Sequence, residues 1–268
     1  MSKTTGQNGI SSLDAARIAQ HVSGSVLLTN DYQKVTADVS NNGAISSFDA
    51  AQIATFVASG SGPTTGITGT WRFFIPPGPT FPVGSSPTSR TYPSITSNFA
   101  GEDYIGLLMG EVSGNWTPSA ARLVNQGPER GASVELPNLA TQGDKEFIIP
   151  VNVQGVANKD VIAYEFDLRY DPSVIQPQTD PIDLTGTVSR GLTAVANAQE
   201  PGLLRVAIYG PMPINENGLL LNLKFTAVGT PGSVSPLIWE RLMFNEGDLP
   251  TITTNGQIKL YDADRQSD

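Results

Sequence analysis

The sequence predicts a multidomain chain: a small all-α module, a short β-rich connecting segment, and an all-β sandwich in the second half. Three observations predict it. An internal repeat near the N-terminus has helical spacing. Strictly alternating apolar runs recur at short intervals after residue 131. Gly (27) and Pro (20) are abundant among 268 residues, as in chains built from short strands and turns. The boundaries read as 1–62, 63–131 and 132–268.

The helical module rests on a repeat. Ile10 to Val22 and Ile45 to Val57 share nine of thirteen residues at an offset of 35. Each copy follows a Gly/Asn turn. Apolar residues recur at helical spacing: Leu13 or Phe48, Ile18 or Ile53, Val22 or Val57. The Ser-Ser pair ahead of each run supplies capping oxygens, and Gly24 and Gly60 stop the helices. Asn30 to Val35 reads as a short third helix. His21, the single histidine, aligns with Phe56 and reads as a half-buried structural residue.

The second copy opens with a twelve-residue loop, Asp38 to Asp49. Oxygen-bearing side chains stand at positions 1, 3, 5, 9 and 12: Asp38, Ser40, Asn42, Ser46 and Asp49. Gly43 occupies position 6, where the chain must turn sharply. Ala44 at position 7 offers its carbonyl, and Ile45 anchors the loop to a core. Six to eight oxygens around a tight ring suit Ca²⁺. The competing reading is an Asn-Gly turn with no metal. The first copy lacks this pattern. Counted back from Asp14, Gly9 falls at position 7, and Lys3, Thr4 and Thr5 stand where acids belong. It reads as a metal-free turn.

Two loop-helix repeats within about 60 residues, Asp at loop position 12 and the Ile-Ser-Ser-x-Asp-Ala run resemble a dockerin over residues 3–60. The resemblance implies Ca²⁺ as cofactor and a cohesin domain as partner. It implies recognition through positions 10 and 11: Ser47 and Phe48 in the second copy, Ser12 and Leu13 in the first. The familiar Ser-Thr pair is replaced by Ser-Phe and Ser-Leu, so specificity does not carry over. Leu13 and Phe48 fit a core position or a docking position equally well.

The connecting segment holds two strand-like runs, Thr70 to Ile75 and Asp103 to Met109, around a Pro-rich loop. With so few strands it should lean on a neighbouring domain. Trp71, Phe73 and Phe74 read as a strand packing into a core rather than a sugar platform. Glu111 to Trp116 imitates the start of a calcium loop. Residue 122, where its closing acid should stand, is Arg122, so it reads as a turn. Residues 117–131 read as an interdomain linker.

In the C-terminal part, Ile162, Tyr164, Phe166, Leu168 and Tyr170 alternate with Ala163, Glu165, Asp167 and Arg169. Leu204, Val206 and Ile208 alternate with Arg205, Ala207 and Tyr209. Leu221, Leu223 and Phe225 alternate with polar residues. Eight or nine strands with no helix signal make a β-sandwich. The runs Tyr164 to Val174, Gly202 to Gly210 and Gly218 to Phe225 together resemble a cohesin over about 132–262. The resemblance implies a nine-stranded jelly roll. It also implies a dockerin-facing strand with an Asn-x-Asp pair, held here by Ala163 and Glu165. Candidate partner-binding residues on this sheet are Glu165, Asp167, Arg205 and Tyr209. An ordinary solvated strand face is the equal alternative.

Composition removes several functions. There is no cysteine, so disulfides, thiolate metal sites and cysteine nucleophiles are excluded. A net charge of −9 argues against nucleic acid. No apolar run is long enough to span a membrane, and no signal peptide opens the chain. Charge is uneven: net −1 over residues 1–62 and net −8 over 131–268. Glu165 and Asp167 share a strand face with no pocket to tune them, so the chain reads as no enzyme. The expected function is calcium-dependent protein–protein assembly, extracellular or on the surface of a bacterial or archaeal cell. Partners are cohesin- or dockerin-type domains. Identical chains would assemble head-to-tail into filaments. Other proteins would make the chain an adaptor, as in a polysaccharide-degrading scaffold. In a third arrangement the helical module packs on its own chain.

Overall fold

The structure, a computed structural model, describes residues 3, 6–59, 66–83, 87–92, 94, 100–117, 131–247 and 249–262. Most of the segment read as a linker, and the turn at Gly60, lie outside these residues.

Three helices form in the first part: α1 (Ser12–Ser23), α2 (Asp31–Ala37) and α3 (Ser47–Ser59). Ser11 caps α1 in a capping box with Asp14, and Gly24 closes it in the left-handed conformation at φ 75°. Asn30 caps α2. Ser46 caps α3: its hydroxyl accepts from the Phe48 amide, and its own amide donates to Asp49 Oδ2 at 2.9 Å.

Strands β1 (Trp71–Phe74) and β2 (Ile105–Leu108) pair antiparallel and lean on the helices. Phe74, Met109 and Val112 are buried in one cluster with Leu13, Ile18, Val35 and Ile53. Phe74 thus packs inward as expected of the aromatic run. Trp71 instead meets Trp116 edge-on, with ring centroids 5.1 Å apart. The Lys3 ammonium lies 4.0 Å from one ring centre and 4.3 Å from the other.

The second half is a sandwich of β3 (Ala132–Glu135), β4 (Asn138–Gln142), β5 (Glu146–Gln154), β6 (Val161–Arg169), β7 (Ile175–Asp183), β8 (Thr193–Asn197), β9 (Leu203–Ile214), β10 (Gly218–Ala227), β11 (Val234–Phe244), β12 (Thr251–Thr254) and β13 (Gly256–Tyr261). One sheet runs β12-β3-β5-β10-β7, the other β4-β13-β11-β6-β9-β8. The described residues therefore hold eleven sandwich strands, against the eight or nine expected. The inner faces interlock through Tyr164, Phe166, Leu168, Val206, Leu223, Phe225 and Leu237.

First and last strands pair in parallel, β3 with β12 and β4 with β13. Both segments change sheets midway. Leu136 and Pro137 separate β3 from β4, and Asn255 separates β12 from β13. At the crossing Gly256 sits so close that a Cβ there would lie 2.3 Å from the Pro137 carbonyl oxygen. Only glycine fits. Among the described residues no helix is long and apolar enough to cross a membrane.

Candidate functional site

The outer face of the six-stranded sheet is covered. Helix α1 lies against β6 and β9, and α3 lies against β8 and β9. Ala163, Ala207 and Tyr209 stand on this face of β6 and β9, which the sequence predicts to be solvated or partner-facing. They are buried in one cluster with Leu13, Ala15, Ala16 and Val57. The small alanines on both sides let helix and sheet approach closely.

At the centre stands Glu165, 1% exposed. Its Oε2 accepts the Ser12 backbone N–H at 3.0 Å. That amide belongs to the first turn of α1 and has no acceptor within the helix. A carboxylate there also meets the positive end of the helix dipole. The other oxygen, Oε1, accepts from Arg241 Nη1 at 2.7 Å, and Arg241 Nη2 reaches Asp167 Oδ1 at 3.3 Å. Burial pushes the Glu165 carboxyl above the usual carboxylate range. Arg241 and the Ser12 amide pull it back in part. Burial likewise raises the Tyr209 phenol. A cavity of about 300 Å³ remains between the modules, lined by Ile10, Phe56, Val57, Glu165, Asp167, Arg205 and Arg241.

The structure brings Ser12, Leu13, Glu165, Asp167, Arg205 and Tyr209 to this contact. Leu13 is buried, and Arg205 pairs with Glu200 at 2.9 Å beside the cavity. Ser47 and Phe48 are not brought there. Phe48 is 59% exposed at the start of α3. The α3 face on the sheet is instead its later turns, with Phe56 and Val57. Sequence reasoning missed Arg241 altogether. Its only signal was register, since Arg241 stands opposite Asp167 across β11 and β6. His21 Nδ1 accepts the Leu28 amide at 3.2 Å and closes the turn after α1.

The loop Asp38 to Asp49 is a closed ring. Asp38 Oδ1 accepts the Asn42 amide at 3.0 Å and the Ser40 hydroxyl at 3.3 Å, and Oδ2 accepts the Gly43 amide at 2.9 Å. Asp49 Oδ1 accepts the Ser40 amide at 2.9 Å, and Oδ2 accepts the Ser46 hydroxyl at 3.0 Å. Asn41 at φ 58° and Gly43 at φ 82° make the sharp turn. Asn42 Oδ1 accepts the Ala44 amide at 2.9 Å. Among the described residues no three of His, Asp and Glu gather. The donor set is two carboxylates with neutral hydroxyl and amide oxygens, which suits a hard cation.

Residues 132–260 match the cohesin domain family, and residues 5–58 match the dockerin type I domain family. No curated protein matches the chain. Among solved structures, the sixth cohesin of scaffoldin B from Acetivibrio cellulolyticus, in complex with a mutant dockerin, is similar at 18% identity and TM-score 0.43. The match covers 49% of this chain and 99% of that one. An OlpA cohesin–dockerin complex from Clostridium thermocellum is similar at 13% identity and TM-score 0.43, with the same coverage of 49% and 99%. A non-cellulosomal cohesin from the archaeon Archaeoglobus fulgidus shares 18% identity at TM-score 0.42, over 50% of this chain and 93% of that one. Cohesin and dockerin domains pair with each other and mediate protein–protein assembly.

Proposed function

From a chain that carries a dockerin type I domain followed by a cohesin domain, we propose a self-complementary assembly module whose dockerin docks on its own kind of cohesin sheet. The observation that carries this is the Ser12 amide on buried Glu165 beneath α1 and α3. Made within one chain, the contact gives a closed monomer. Made between copies, the same heterologous contact gives head-to-tail oligomers, because nothing forces closure at a dimer. Ca²⁺ orders the second loop through Asp38, Ser40, Asn42, the Ala44 carbonyl, Ser46 and Asp49, and so presents α3. The setting is extracellular or the cell surface, consistent with an all-oxygen cation site and a cysteine-free chain.

Complementation tests it. Ser12→Glu sets a carboxylate against Glu165 and blocks the helical face. Ala207→Arg fills the buried sheet face. Each variant alone should be an undocked monomer in millimolar Ca²⁺. Mixed, the sound helices of one and the sound sheet of the other should form a 1:1 heterodimer by light scattering. A mixture that stays monomeric at high concentration overturns the proposal.

A further inference from the structure

The first repeat, whose sequence reads as a metal-free turn, finds the missing half of its loop about a hundred residues downstream. Glu111-Val112-Ser113-Gly114-Asn115 matches Asp38-Val39-Ser40-Asn41-Asn42 in kind: acid, valine, serine, variable, asparagine. Val39 and Val112 are both fully buried. The bonds match as well. The Ser40 amide donates to Asp49 Oδ1 at 2.9 Å, and the Ser113 amide donates to Asp14 Oδ1 at 2.8 Å. The Ser46 amide donates to Asp49 Oδ2 at 2.9 Å, and the Ser11 amide to Asp14 Oδ2 at 2.8 Å. Asp38 accepts the Asn42 amide at 3.0 Å, and Glu111 Oε1 accepts the Asn115 amide at 2.9 Å and the Ser113 hydroxyl at 3.0 Å.

The two stretches are pressed together. A Cβ at Gly9 would lie 2.8 Å from Glu111 Cγ and 3.1 Å from Trp116 Cβ. The acid that a contiguous loop would need at residue 122 is supplied by Asp14 from the other end of the module. The turn reading of Glu111 to Trp116 therefore gives way to a half-loop.

We propose that residues 111–115 and 9–14 form a second divalent-cation site, split between two distant stretches of chain. Its ligands by position are Glu111, Ser113, Asn115, the Gly9 carbonyl, Ser11 and Asp14. The assignment rests on the calcium reading of the 38–49 loop, whose pattern it repeats in a different chain order. Calcium here clasps the start of the chain to the end of the connecting segment, so β1, β2 and residues 109–117 belong with the helical module.

Calorimetric titration of the full chain with Ca²⁺ should show two equivalents. Glu111→Gln should remove one, and Asp49→Asn the other. Asp14→Asn keeps an oxygen for the Val112 and Ser113 amides and should remove the same equivalent as Glu111→Gln. Tb³⁺ gives a second readout, because Trp116 adjoins the split site. Tryptophan-sensitised emission should fall several-fold in Glu111→Gln and persist in Asp49→Asn. A single equivalent, lost in Asp49→Asn and untouched by Glu111→Gln, overturns the split site and leaves the 38–49 reading intact. No uptake in the unaltered chain overturns both.

Discussion

Glu165 is the residue on which docking turns. It gives one oxygen to a helix amide and the other to an arginine, and both bonds are charge-assisted. Glu165→Ala should weaken docking by about 2 kcal/mol, the usual loss for a hydrogen bond to a charged group. Amide hydrogen exchange at Ser12 should accelerate by one to two orders of magnitude. The pH dependence follows from the raised carboxyl. The docked state binds a proton more tightly than the undocked state. Docking is therefore strongest below the ordinary carboxylate range and weakens as pH rises through the raised range. Arg241 faces the same group and limits the effect, whereas the neighbouring Asp167 charge adds to it. The slope should vanish in Glu165→Gln, and a slope that survives there would assign it to other acids.

Among the elements, legibility followed burial. The strands visible in the sequence alternate because one face meets the core, as β6 does with Tyr164, Phe166 and Leu168. The four sheet edges, β4, β7, β8 and β12, carry no such alternating run. An edge strand is bonded on one side and packs less, so its sequence carries less pattern. Strand β7 also contains Pro177 and Pro181, tolerated at an edge and misleading to a reader. The helices of the first module were legible from their repeat and caps. Which helix face meets the sheet was not, because alanines such as Ala15 and Ala16 carry no polarity signal. The split loop was illegible for a different reason, since its halves meet only in three dimensions. Ile18 is fully buried between α1 and its neighbours. Ile18→Ala should cost about 3 kcal/mol of module stability by the cavity it leaves, measured by chemical denaturation.

At the scale of the molecule, the two modules share one cluster across the sheet face, so their stabilities are linked. A ligand that binds only the folded helices stabilises them by mass action. Chelating calcium should lower the first thermal transition by several degrees and leave the sandwich transition in place, as followed by calorimetry. Coincident, calcium-independent transitions would contradict this. The sandwich has a further property, set by its terminal strands. Because β3 runs parallel to β12 and β4 to β13, a pull between residues 132 and 261 acts along those strands in opposite directions. It shears the pairs, so their hydrogen bonds share the load and fail together instead of unzipping one by one. With the segment crossing at Gly256 wedged against Pro137, both sheets carry that load at once, and the sandwich is arranged to transmit tension.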